Sequence, residues 1–234
     1  MKRRWFLKSV TAIGAAVPVT AFAQKKHSHE HVAQVGTVKG KSQPQVYGWL
    51  TQPEIAFVEA AVARLIPADE LGPGAKEAGV SFFIDQQLAG AYGTMARNYR
   101  QGPWAEGTPQ QGYQSRLTPQ EIYRAAISEI NAFCISQHKK PFSGLESQLQ
   151  DQILSEIEAG KVALPSVASN IFFNILLVNT MEGFFADPIY GGNRDKAGWN
   201  LIGFPGVIAV HYQNVEKYRD KKYVAKPVSI SDMS

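Results

Sequence analysis

The stretch from Ser166 to Phe185 limits the fold more than any other. Val167, Ile171, Phe172, Ile175, Leu176, Val178 and Met181 place apolar side chains on nearly all of its sides. A helix of that kind is either buried or spans a membrane. Asn170, Asn174, Asn179 and Glu182 argue against a span. The segment therefore reads as the central helix of a bundle, and the rest of the chain must supply its neighbours.

Helical neighbours are present on the N-terminal side. Thr51-Gln-Pro53-Glu54 is a capping box, and Ile55, Val58, Val62 and Leu65 follow at helical spacing up to Pro67. Residues near Glu77 to Ala89 carry Val80, Phe83, Ile84 and Leu88 on one face. Thr118-Pro119-Gln-Glu121 is a second box, with proline at the first helical position, and predicts a helix to about Gln137. Ser143-Gly-Leu-Glu146 has the form of a third box. Leu145 within it begins the stripe Leu145, Leu149, Ile153 and Ile157, which ends at the capping Gly160.

Met95 to Leu117 lacks a steady period, but its Tyr99, Trp104 and Tyr113 suggest an ordered loop. Val207 to Val210 is compatible with strand or helix. The expected fold is all-α: one compact bundle of about five to six helices over residues 49–222, with long ordered loops and a loose tail at 223–234.

The central helix runs directly into Met181–Gly206, rich in Gly, Pro, Asn and Asp yet carrying Phe185, Tyr190, Trp199 and Phe204. Turn residues interleaved with large aromatics indicate an ordered loop packed against something. Asp187 and Asp195 can be read as a carboxylate pair or, with more support, as turn and brace residues. Gly191-Gly192 can admit a phosphate or simply serve a turn. Trp199 fits a core position as well as an interface.

The first 23 residues read as an export address. Arg3-Arg4-Trp5-Phe6-Leu7-Lys8 precedes a short apolar region broken by Gly14 and Pro18, then Ala21-Phe22-Ala23. That order matches a twin-arginine signal, a route for proteins already folded. An ordinary signal or anchor is the alternative, although the apolar region falls short of the roughly 20 residues of a spanning helix. Of the 24 basic residues, Lys2, Arg3, Arg4 and Lys8 lie in this leader, leaving 20 against 20 acidic ones. A balanced mature chain does not fit a nucleic-acid binder.

Residues 24–48 read as a flexible tether containing His27, His29 and His31. Alternating histidines can bind Cu²⁺ or Ni²⁺, but there is no second ligand cluster to close a site, which favours a solvated linker. The single cysteine, Cys134, excludes an internal disulfide, a c-type haem site and cysteine-rich metal centres. It reads as a core thiol or as one half of an intersubunit disulfide. The sequence contains no dinucleotide fingerprint, Walker loop, zincin motif or nucleophile elbow, so neither catalytic residues nor a cofactor site is expected.

Taken together, the chain resembles the gluconate 2-dehydrogenase subunit 3 family, the small or gamma subunit. Carrying the resemblance are the Arg3-Arg4 leader, Leu65-Ile-Pro-Ala68, Tyr99-Arg-Gln-Gly-Pro-Trp104, Gly112-Tyr-Gln114 and Leu117-Thr-Pro119. The most specific pieces are Asp187-Pro-Ile-Tyr-Gly-Gly-Asn193, Gly198-Trp199 and Ile202-Gly-Phe-Pro-Gly206. The resemblance implies a non-catalytic subunit of a periplasmic, membrane-associated dehydrogenase complex acting on a sugar acid or polyol. The partners it implies are a large GMC-type flavoprotein holding FAD, a multihaem cytochrome c subunit holding haem c, and the twin-arginine translocase. Within this chain it implies an export signal at Arg3, Arg4, Phe6 and Leu7. It points to a partner interface or scaffold among Tyr190, Gly191, Gly192, Asn193, Trp199, Phe204, Pro205, Gly206 and Trp104. Two other readings stay open: an escort that dissociates after export, and a free-standing periplasmic metal- or ligand-binding protein using the histidine tract.

Overall fold

A computed structural model describes residues 45–105, 107–108, 111, 116–208 and 212–233. The leader and the histidines at 27, 29 and 31 lie outside the described residues, as does Tyr113. Eight α-helices occur among the described residues: α1 (Gln52–Leu65), α2 (Val80–Ala89), α3 (Ala91–Thr94), α4 (Pro119–His138), α5 (Ser147–Glu158), α6 (Ser169–Phe185), α7 (Ala197–Ile202) and α8 (Tyr212–Lys217). There are no strands among them, only two isolated bridges, Asp69 with Gly72 and Gly206 with Val228. The all-α bundle expected from the periodicity is what forms. Its five long helices are α1, α2, α4, α5 and α6, and the short ones lie in the connections.

Two of the three capping boxes form. The Thr51 amide donates to Glu54 Oε2 at 2.8 Å. The Thr118 amide donates to Glu121 Oε2 at 2.7 Å, and Glu121 N returns a bond to Thr118 Oγ1 at 3.2 Å. The box at Ser143 does not form. Phe142 is fully buried, its amide donates to Asn131 Oδ1 at 3.0 Å, and its carbonyl accepts from Gln150 Nε2 at 3.0 Å. These tertiary bonds fix Phe142–Gly144 as a 3-10 turn, so α5 starts at Ser147 behind Glu146.

The central helix, α6, contacts α1, α2, α4, α5 and α7. Phe172, Leu176 and Phe184 fill the core with Phe57, Ile84, Tyr123 and Ile153. It is not buried on every side, however. Asn170, Asn174, Val178 and Glu182, four residues apart, form an exposed stripe, and Val178 is 52 % accessible. That i, i+4 stripe makes the helix amphipathic. Asn179 lies off the stripe and is buried. Its Nδ2 donates to Tyr123 Oη at 3.0 Å, and its Oδ1 accepts from Tyr92 Oη at 3.1 Å. Burial raises both phenol pKa values.

Two expected boundaries are corrected. The tether does not extend to 48: Tyr47 meets Phe82 edge-on and Ser81 at 2.9 Å, and Gly48, Trp49 and Leu50 are held by Asp85 on α2. Nor is the C-terminus loose throughout 223–234. Val228 pairs with Gly206, and Ile230–Met233 forms a 3-10 turn. The residues after Gly206 give neither a strand nor a helix over 207–208.

Candidate functional site

The site grows from the C-terminal end of α6. Ala186 closes that helix by donating to Glu182 O at 2.7 Å. Asp187 caps the 3-10 turn Pro188–Tyr190, accepting from Ile189 N at 3.0 Å. Gly191 closes the turn, donating to Pro188 O at 3.0 Å. At Gly192 the chain passes so close to α6 that an added Cβ would sit 2.2 Å from Gly183 O. Only glycine permits that approach.

Asn193 follows, fully buried with φ 47°. Its Nδ2 donates to Ala186 O and its Oδ1 accepts from Gly198 N, each at 2.8 Å. One side chain thus joins the end of α6 to the start of α7. Asp195 and Lys196 are also left-handed, at φ 56° and 57°. Asparagine and aspartate tolerate this region; lysine carries the ordinary Cβ cost. Arg194 N, donating to Ala78 O at 2.9 Å, ties the turn to the loop before α2.

Trp199, on α7, settles a question left open by the sequence. It is 4 % exposed, and its indole N–H donates to Phe185 O at 2.7 Å. It is therefore a core and scaffold residue, and its ring meets Phe204 edge-on at 5.2 Å. Phe204 is 43 % exposed, Ile202 58 %, Tyr190 55 % and Ile189 52 %. The stretch has two sides: Asn193 and Trp199 hold it from within, and these four apolar residues face outward. Trp104 and Tyr99 are exposed in the loop between α3 and α4.

A C-terminal strap completes the site. Pro205 O accepts from Val228 N at 3.1 Å, and Val207 N donates to Val228 O at 2.7 Å. Gly206 has φ 79°, and an added Cβ would lie 2.1 Å from Val228 O. Ser229 Oγ and Ile230 N donate to Asp187 at 2.8 and 2.9 Å, and Lys196 pairs with Asp232 at 2.5 Å. Asp187 is therefore committed to turn and strap, while Asp195 is exposed. Nothing in the sequence flagged Ser229 as the partner of a residue 42 positions earlier.

Burial alone would raise the Asp187 pKa, but bonds from Ile189, Ile230 and Ser229 outweigh it and hold it below its ordinary value of 3.8. A depressed folded pKa stabilises the strap above the unfolded value, and that stabilisation is lost as pH falls through the folded one. The Ile230 amide should thus keep its hydrogen-exchange protection from neutral pH to about pH 4 and lose it below, after correction for intrinsic rates. Protection that does not fall at any acid pH at which the bundle stays folded would contradict this role.

Cys134 is fully buried, and burial pushes its thiol pKa up to about 11. A disulfide to another chain would require α4 to move away from the core, so the structure favours the core thiol. Among the described residues no group of three or more His, Cys, Asp or Glu could hold a metal ion. No helix among them is long and apolar enough to cross a membrane.

A family model described as gluconate 2-dehydrogenase subunit 3 matches residues 52–206. The chain belongs to the gluconate 2-dehydrogenase subunit 3 family. The match runs from the first residue of α1 to the glycine at the end of the aromatic stretch, so it takes in the bundle and the loop that α6 supports. The strap and the histidine tract lie outside it. Searches of curated proteins and of solved structures gave no match. As a subunit 3 protein, the chain is a component of a gluconate 2-dehydrogenase-type assembly.

Proposed function

We propose that this subunit 3 chain is the non-catalytic small subunit of a periplasmic, FAD-dependent dehydrogenase acting on a sugar acid or polyol. It binds the GMC-type flavoprotein, supports its folding and twin-arginine export, and stays with it beside a haem c-bearing cytochrome subunit through which the complex associates with the membrane. One observation carries the reading beyond the family match: a loop braced from inside by Asn193 and Trp199 presents Ile189, Tyr190, Ile202 and Phe204 to solvent. A preorganised apolar edge suits docking because little ordering entropy is lost on binding. Trp199 acts as scaffold beneath this edge rather than as a contact.

Affinity purification of the tagged full chain from the periplasmic membrane fraction tests the reading. It should recover a flavin-containing subunit in a fixed ratio; recovery of the chain alone would refute it. The twin arginines give a second test. Changing Arg3 and Arg4 together to lysine should leave the chain and its flavoprotein in the cytoplasm, with periplasmic dehydrogenase activity lost. Normal periplasmic activity in that variant would remove the escort role.

A further inference from the structure

A groove of about 580 Å³ opens beside the docking edge, between α2, α3, the end of α6 and the turn at Pro188–Tyr190. Its walls are aromatic: Phe83, Tyr92, Phe185 and Tyr190. Gln87, Glu182 and Asp187 supply its polar groups, and no lysine or arginine among the described residues lines it.

Asp187 is committed to the turn and strap, but the Glu182 carboxylate has no hydrogen-bond or ion-pair partner among the described residues. Glu182 is on the exposed stripe of α6, but the groove walls shield one side of its carboxylate; that partial loss of water raises its pKa, and no cation counters the rise. Glu121, Asp151, Asp187 and Asp232 shift the other way, each through hydrogen bonds it accepts. A carboxylate partly stripped of water and lacking a counter-charge is improved by an incoming cation. Surrounding aromatic faces favour the same ligand, because a cation is drawn to the ring quadrupole. An anion would meet two carboxylates, and a neutral ligand would leave Glu182 unpaired.

Tyr190 belongs both to the groove and to the exposed edge, and Val178, one turn before Glu182, is also exposed. A partner seated on the edge would thus reach the groove. We propose that the groove receives an arginine or lysine side chain of the flavoprotein, which pairs with Glu182 between the aromatic walls. The inference rests on the docking function proposed above and adds the chemistry of the contact.

The test uses the full chain and the flavin-containing subunit purified with it. Glu182→Gln keeps the shape and should weaken the complex about tenfold; Glu182→Lys should weaken it about a hundredfold. Both variants should melt like the parent, since the Glu182 side chain makes no intramolecular bond that would be lost. Glu158→Lys, at an exposed position at the C-terminal end of α5, should bind like the parent and so controls for net charge. If Glu182→Lys binds the flavoprotein with parental affinity, the groove inference falls and the docking function stands. If Glu182→Lys instead breaks a homodimer and spares the flavoprotein complex, a second copy is the occupant and the inference also falls. If the parent chain forms no flavoprotein complex, both proposals fall together.

Discussion

Asn193→Ala should lower the melting temperature by about 10–15 °C. The substitution leaves Ala186 O and Gly198 N without partners next to the core. Each orphaned group costs roughly 1–3 kcal/mol. Alanine must also adopt the φ of 47°, which adds about 1 kcal/mol. A total of about 4 kcal/mol corresponds to that shift for a domain of this size. Asn193→Gly removes the same two bonds without the backbone penalty. It should therefore melt a few degrees above the alanine variant, and the gap isolates the strain. Thermal unfolding followed by circular dichroism reads both. An alanine variant within about 2 °C of the parent would show that the side chain does not brace the loop.

That brace was only partly visible in the sequence. The apolar run before it and the turn residues within it identified an ordered loop leaving the central helix, and both cues are local. Which aromatics face inward depends on what lies across from them, and that is non-local. Trp199 turns inward because Phe185 O lies within reach of its indole N–H. Tyr190 and Phe204 are of similar character and stay exposed. The capping boxes show the same division. Thr51 and Thr118 serve as their own start signals. Ser143 fails because the buried Phe142 beside it is held by Asn131 and Gln150. The strap looks loose in the sequence because its anchors, Asp187 and Gly206, lie more than 20 positions upstream.

Asp85 is the residue whose importance the sequence concealed most fully, and its loss should have the other large effect. It reads as one polar position on an amphipathic helix. In the fold it is fully buried, and its two oxygens accept from Gly48 N at 2.7 Å, Trp49 N at 2.9 Å and Leu50 N at 2.7 Å. One carboxylate thus ties the segment before α1 to α2. Trp49 in turn stacks on Arg124 at 4.2 Å, and Arg124 pairs with Glu54 of the first capping box at 2.6 Å. Bonds to a charged acceptor are worth about 1.5–3 kcal/mol each, so Asp85→Ala should cost about 4 kcal/mol or more. Asp85→Asn is the sharper test. It keeps the volume but offers one carbonyl oxygen, and its amino group faces a backbone donor. A cost of about 2–3 kcal/mol is expected. Both variants should become cleavable by protease near residues 45–50 while the bundle is still folded, because the three amides are released before the core opens. If Asp85→Asn resists protease as the parent does, Tyr47 and Trp49 hold this segment by packing and the carboxylate is dispensable.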